Sequence, residues 1–221
     1  MVRTVTLVAC FVLGITAVGR IPAQLPGLPV LQNGFANPGI TVGANYGTGD
    51  NLRGYAAAGA WAPSNGRFQL SAGIGGYDPE EDPDDESAYL AYGGRIAVPL
   101  TAVTGTGRFG IAPFIGIGGA SREGIDVMQV PLGVGAGYRF AVGGTRAISV
   151  YLSPFYAWHR VSVDEVSDTE ALFRASVGVD AAITPALGLS LGYELGAEAD
   201  DGEPGPTSPQ FGIGISYAFR R

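Results

Sequence analysis

The chain has 221 residues, 36 of them Gly, and 20 acidic residues against 13 basic ones give it a net charge of −7. So much Gly excludes a helix-dominated fold, since each interior Gly costs a helix roughly 1 kcal/mol relative to Ala, and the acidic balance argues against a nucleic-acid partner. Only 15% of residues are charged and the mean hydropathy is +0.22, whereas an ordinary soluble domain carries about a quarter charged residues; an all-β chain in a non-aqueous setting is the working class.

Residues 1–23 read as a signal peptide. Arg3 supplies the positive start, "VTLVACFVLGITAV" the apolar stretch, and "IPA" up to Ala23 a cleavage site. Cys10 is the sole Cys and falls inside this segment, so disulfides play no part in the exported chain. "LVAC" matches a lipoprotein box only superficially, because nine residues are too few for a full apolar region before it. Residues 24–38, punctuated by Pro and Gly, read as an extended leader. Beyond residue 23 no run of about 18 uninterrupted apolar residues suggests a transmembrane helix.

From residue 39 onward, period-two alternation broken by turn chemistry predicts ten strands, at about 39–47, 52–62, 67–77, 87–98, 108–120, 126–140, 148–159, 170–183, 188–197 and 209–220. Most have the nine to eleven residues that a tilted strand needs to cross a bilayer. In the last, Phe211, Ile213, Ile215, Tyr217 and Phe219 oppose Gly212, Gly214, Ser216 and Ala218. In the seventh, Ile148, Val150, Leu152, Tyr156 and Trp158 oppose Ser149, Tyr151, Ser153, Phe155 and His159. A soluble sheet would carry Lys, Glu and Gln on its second face; here that face is Gly, Ala and Ser with a few charges, which suits the lumen of a barrel.

Connectors, charges and rings agree on a direction. The longest polar connectors (78–86, 160–169, 198–208) alternate with short ones such as "PSNG" at 63–66 and "TPAL" at 184–187, the asymmetry of a barrel with outward loops and inward turns. All acidic residues except Asp180 and Glu194 fall in or beside the connectors of that same side (48–51, 78–86, 121–125, 160–169 and 198–208), and every basic residue is Arg. Tyr46, Tyr92, Tyr156, Trp158, Phe173, Tyr193 and Phe211 fall near one rim, and Trp61, Phe68, Phe109, Tyr138, Phe140, Tyr217 and Phe219 near the other, as two interfacial girdles would.

With its signal segment, alternating strands and terminal "FGIGISYAFRR", the chain resembles a small bacterial outer-membrane β-barrel protein. The resemblance implies a closed antiparallel up-and-down transmembrane barrel over residues 39–221, of ten strands, with eight, the usual number in small members, as the alternative. It implies location in the bacterial outer membrane, contact with outer-membrane lipids and lipopolysaccharide, and recognition by the outer-membrane insertion machinery. Gly214, Tyr217 and Phe219 match the spacing of the family's C-terminal assembly signal, although two Arg follow the final aromatic.

Candidate sites are few. Arg95, Arg139, Arg174, Asp180 and Glu194 fall on the small-residue face and are expected to form a lumen charge network, with a charged constriction as the functional alternative. Asp78, Glu80, Glu81, Asp82, Asp84, Asp85 and Glu86 form an acidic extracellular loop. It lacks the Gly turn and alternate ligand spacing of a calcium loop, so weak binding of divalent cations is the expectation and no dedicated metal site is assigned. His159, the only His, is a weak catalytic candidate: Ser162 lies three positions on, which in a strand puts it on the opposite face. The Gly-rich runs lie within strands without a following helix and fail the context test for nucleotide binding, so no cofactor is expected. Three functions follow: a structural or surface-interaction barrel with an acidic extracellular face, a narrow passive pore for ions or small solutes, and a rim hydrolase using His159.

Overall fold

The computed structural model describes residues 38–49, 52–79, 89–104, 107–122, 124–143, 146–163, 166–196 and 210–219. The expected signal peptide, all of the leader except residue 38, and acidic residues Glu80, Glu81, Asp82, Asp84, Asp85 and Glu86 lie outside the described residues. The strands are β1 (Gly39–Gly49), β2 (Leu52–Ala62), β3 (Gln69–Pro79), β4 (Tyr89–Ala97), β5 (Leu100–Thr104), β6 (Gly107–Arg122), β7 (Ile125–Gly143), β8 (Arg146–Val163), β9 (Val166–Ala182), β10 (Leu187–Gly196) and β11 (Gln210–Phe219). Apart from β4 and β5, which both pair with β6, each strand pairs antiparallel with its neighbour in the chain, and β1 pairs with β11, which closes the sheet into an up-and-down barrel. Closure satisfies the backbone without a free edge, the condition for crossing lipid with strands.

β4 and β5 are one membrane-crossing strand, so the barrel has ten. Ala97 pairs with Phe114 and Leu100 with Ile111, one unbroken register against β6, and Val98 N–H donates to the Pro113 carbonyl at 3.0 Å. Pro99 interrupts the ladder at little cost. Because Val98 points its N–H at β6, the N–H that Pro99 lacks would point to the other side, where pairing with β3 already ends at Gln69↔Ala97.

The stagger of the barrel follows from the registers. From Ile40 the pairings lead through Trp61, Leu70, Ile96, Ile115, Leu132 and Tyr156 to Phe173. Three residues farther along β9, Ser176 leads through Glu194 and Gln210 to Gly49, nine residues from the start, so one circuit shifts the chain by twelve residues. With a rise of ~3.3 Å per residue and strands ~4.8 Å apart, that shift tilts ten strands by ~40° and gives a barrel radius of ~10 Å, within the range of membrane barrels.

β6 to β9 all outrun their expected lengths. The polar connector expected at 160–169 is largely strand: β8 runs to Val163 and β9 begins at Val166. Val161, Val163 and Val166 are β-branched and alternate with Ser and Asp, so the segment suits an extended ribbon. At the other end, "PSNG" closes as a turn with Gly66 N–H donating to Pro63 O at 2.9 Å and Gly66 at φ 63, a left-handed conformation that favours Gly. In the turn after β9, Thr184 Oγ1 accepts from Leu187 N–H at 2.9 Å.

Outward faces are apolar along the whole circumference: Ile74, Ile117, Leu132, Leu152, Leu191 and Ile213 are all more than a third exposed. Rings pair edge-to-face on this surface. Tyr156 and Phe173 meet at 5.3 Å near the outer rim, and Trp61–Phe68 and Tyr217–Phe219 at 5.6 and 5.0 Å near the inner one.

Candidate functional site in the barrel lumen

The lumen has two unlike walls. β6 to β9 send Phe114, Gln129, Arg139, Tyr151, Phe155, His159, Leu172 and Arg174 inward, whereas β1, β2, β10 and β11 line the other wall mostly with Gly, Ala and Ser, plus Thr41, Asn45, Glu194 and Gln210. The bulky wall leaves no room for side chains beneath it. A Cβ at Gly133 would collide with Phe155 and the Pro154 carbonyl, and one at Gly178 with the Tyr151 ring and hydroxyl.

In the outer half the lumen is filled. Ala56, Tyr89, Ala91, Ala120 and Val127 form one buried cluster, with Ile125 and Val161 packed against it, and just below it Gln129, Ala157, His159 and Leu172 are all buried. A second cluster of Ala97, Ala112, Phe114, Phe155 and Ala157 lies deeper, with the Phe114 and Phe155 rings 6.3 Å apart.

Twelve residues of stagger over ten strands mean that a level ring drifts from the paired register by about one residue per strand, since a level ring must close on itself. Corrected for this drift, Arg95 shares its level with Asn45, Ala58, Gly73, Phe114, Ser153, Ser176, Gly192 and Gly214. The mid-level ring is therefore Gly, Ala and Ser apart from Arg95, Phe114 and Asn45.

The five charged residues singled out in the sequence all face inward, but they do not form one network. Arg174, fully buried, pairs with Glu194 at 2.7 Å, and Ser176 Oγ donates to the second carboxylate oxygen at 3.3 Å. Nearer the inner rim, Arg139 Nε donates to Ser149 Oγ at 3.1 Å, and Ser149 faces Asp180 in register, within electrostatic reach of Arg139. Arg95 sits between these groups. Its guanidinium lies 4.6 Å over the Phe114 ring, a cation–π contact, and among the described residues no carboxylate pairs with it. Sequence reasoning passed over Tyr151, Ser153 and Gln129, whose buried hydroxyl or amide oxygens lack hydrogen-bond partners. Their inward parity was readable, but the level of each in the lumen was not.

His159 is buried near the outer mouth, with Gln129 Nε2 donating to its Nε2 at 3.3 Å and Glu170 opposite it on β9. Ser162 pairs with Asp126 and Ser167 on the outward face, so no Ser–His pair forms. Among the described residues, no group of three or more His, Cys, Asp or Glu gathers in a way that could hold a metal. Of the acidic loop, Asp78 lies next to the end of β3, in register with Arg53. Gly214, Tyr217 and Phe219 lie in β11: Gly214 faces the lumen, where a Cβ would strike Asn45 and Ser190, and the two rings face outward.

Solved structures similar in fold include the β domain of the Bordetella autotransporter Brka, with 14% identity, TM-score 0.51, and coverage of 83% of this chain and 100% of that one. The KdgM porin (7% identity, TM-score 0.42, 81% and 99%) and the N-terminal β-barrel domain of Pseudomonas aeruginosa OprF (11%, 0.39, 81% and 96%) are also similar. No curated protein matches the sequence. Residues 52–219 match the outer membrane protein beta-barrel domain, and the chain belongs to that family of bacterial outer-membrane barrels.

Proposed function

We propose that this barrel does its work at its surface and within the membrane rather than as an open pore, presenting an acidic extracellular face to lipopolysaccharide, divalent cations or a partner. The observation that carries this reading is the filled outer half of the lumen, where Gln129 and Ala157 are 0% exposed and His159 4%. A solute crossing there would have to displace packed side chains and the Gln129–His159 hydrogen bond. The projecting ends of β8 and β9, with Asp168 and Glu170 exposed, place carboxylates beyond the apolar band on the side expected to face outward. The test is conductance of the purified barrel in planar bilayers. Absence of steady channel steps at high protein load supports the reading, and reproducible open steps that vary with protein load overturn it.

A further inference from the structure

The two rims of the barrel carry opposite charge. None of the connectors on the inner side (63–66, 99–107, 141–147 and 184–187) contains Asp or Glu. Arg67, Arg108 and Arg146 stand at that end, all exposed, and Arg220 and Arg221 follow β11 in the sequence. Asp180, the described carboxylate nearest that end, faces the lumen and lies within electrostatic reach of Arg139. Among the described residues no carboxylate pairs with Arg67, Arg108 or Arg146. The outer ends of β7 and β9 show the reverse balance, with Asp126, Asp168 and Glu170 exposed around Arg160.

Two of the inner arginines sit beside aromatic rings at the edge of the apolar band. Arg67 precedes Phe68, whose ring meets Trp61 at 5.6 Å. Arg146 lies two positions before Ile148 on the outward face of β8, and Ile148 pairs with Phe140, whose ring is 6.3 Å from that of Tyr138. Amphipathic rings settle at the membrane–water interface, which puts the neighbouring guanidiniums at the depth of lipid headgroups. The connections are short, six residues between β2 and β3 and two between β7 and β8, so these charges stay at the membrane surface and do not project toward a partner set away from it.

We propose that the inner rim is a binding surface for anionic phospholipid headgroups of the facing leaflet, with Arg67 and Arg146 as two of its contacts. Each guanidinium offers a fork of N–H donors that matches the oxygens of a phosphate. A zwitterionic headgroup presents the same phosphate with a cation beside it, which a rim of arginines without carboxylates repels. A basic side chain next to an anionic bilayer surface raises the local share of anionic lipid by about two- to fivefold at low salt.

The test uses the two tryptophans, which face lipid at opposite rims, Trp61 at the inner and Trp158 at the outer. The full barrel is refolded into mixed vesicles of phosphatidylcholine and phosphatidylglycerol, with bromine placed near the headgroup end of the chains of either lipid at equal content. In a Trp158→Phe background, Trp61 is expected to be quenched about two- to fivefold more effectively by brominated phosphatidylglycerol. That preference should fade at high salt and disappear in Arg67→Gln. In a Trp61→Phe background, Trp158 is expected to show no such preference. Phe140→Trp in a chain lacking both native tryptophans is expected to show the preference near Arg146 and to lose it with Arg146→Gln. Heat-modifiable migration on gels checks that each variant is folded. Equal quenching of Trp61 by the two lipids, a preference that survives Arg67→Gln, or an equal preference at Trp158 overturns the proposal. So does arginine-dependent sedimentation of the barrel with isolated cell-wall sacculi in the absence of any lipid preference, which would assign the rim to an anionic polymer. Quenching is read at the rim and conductance through the lumen, so this proposal and the closed-barrel reading fail separately.

Discussion

Replacing Glu194 by Leu removes the carboxylate from the Arg174 pair and leaves a fully buried guanidinium without its counter-charge. The pair is close, at 2.7 Å, with side-chain exposures of 0% for Arg174 and 12% for Glu194. Breaking a buried pair by removing one partner costs roughly 3–5 kcal/mol, and the small exposure of Glu194 lets some water reach it, so about 3 kcal/mol is the expected loss for Glu194→Leu. The Ser176 hydroxyl also loses its acceptor at 3.3 Å, adding about 0.5–1 kcal/mol. Replacing both partners, Arg174→Met with Glu194→Leu, removes the stranded charge, and most of the lost stability should return, because a buried pair exchanged for apolar groups of similar volume is often neutral. The assay is reversible urea unfolding in lipid vesicles, read by the fluorescence of Trp61 and Trp158. A Glu194→Leu variant within about 0.5 kcal/mol of the wild type, or a double variant no more stable than the single one, would refute the claim that this pair is desolvated and coupled.

Other outcomes test the packing, the membrane band and the projecting ribbon. Gly133→Ala places a methyl against Phe155 and the Pro154 carbonyl and should destabilise the barrel by about 1–3 kcal/mol in the same urea assay. Leu191→Arg, outward and close to the middle of the apolar band, should cost about 2–4 kcal/mol, whereas Phe219→Arg at the inner rim should cost about 0–1 kcal/mol; equal costs would contradict the placement of the band. Ser167→Arg, on the exposed ribbon of β9, should leave stability within about 0.5 kcal/mol of the wild type.

Much of the fold was readable because alternation in a barrel has only two sides to assign. The inward placement of Ser149, Tyr151, Ser153, Phe155 and His159, and the outward placement of Ser162, both follow from parity alone. Strand ends were less readable. Pro99 looks like a strand terminator, and its tolerance depends on which neighbour its missing N–H would have faced, a fact of pairing rather than of sequence. The polar connector expected at 160–169 is strand at 160–163 and 166–169, because outside the apolar band a strand has no need of a greasy face. Level was the least readable property. Arg95 and Arg174 share a face-parity argument, but only the twelve-residue stagger, set by all ten pairings together, decides that one meets Glu194 and the other a ring of small residues.

The claim that these strands span the outer membrane with the long β8–β9 ribbon outward is tested most directly by paired cysteine labelling. Ser167→Cys lies at the exposed end of β9 and Asn65→Cys in the turn at the opposite end of the barrel; the only native cysteine, Cys10, lies in the segment expected to be removed on export, and the unsubstituted protein gives the background. With a membrane-impermeant maleimide applied to intact cells, Ser167→Cys should be labelled and Asn65→Cys should not until the outer membrane is opened. Labelling of both on intact cells, or of Asn65→Cys alone, would contradict it.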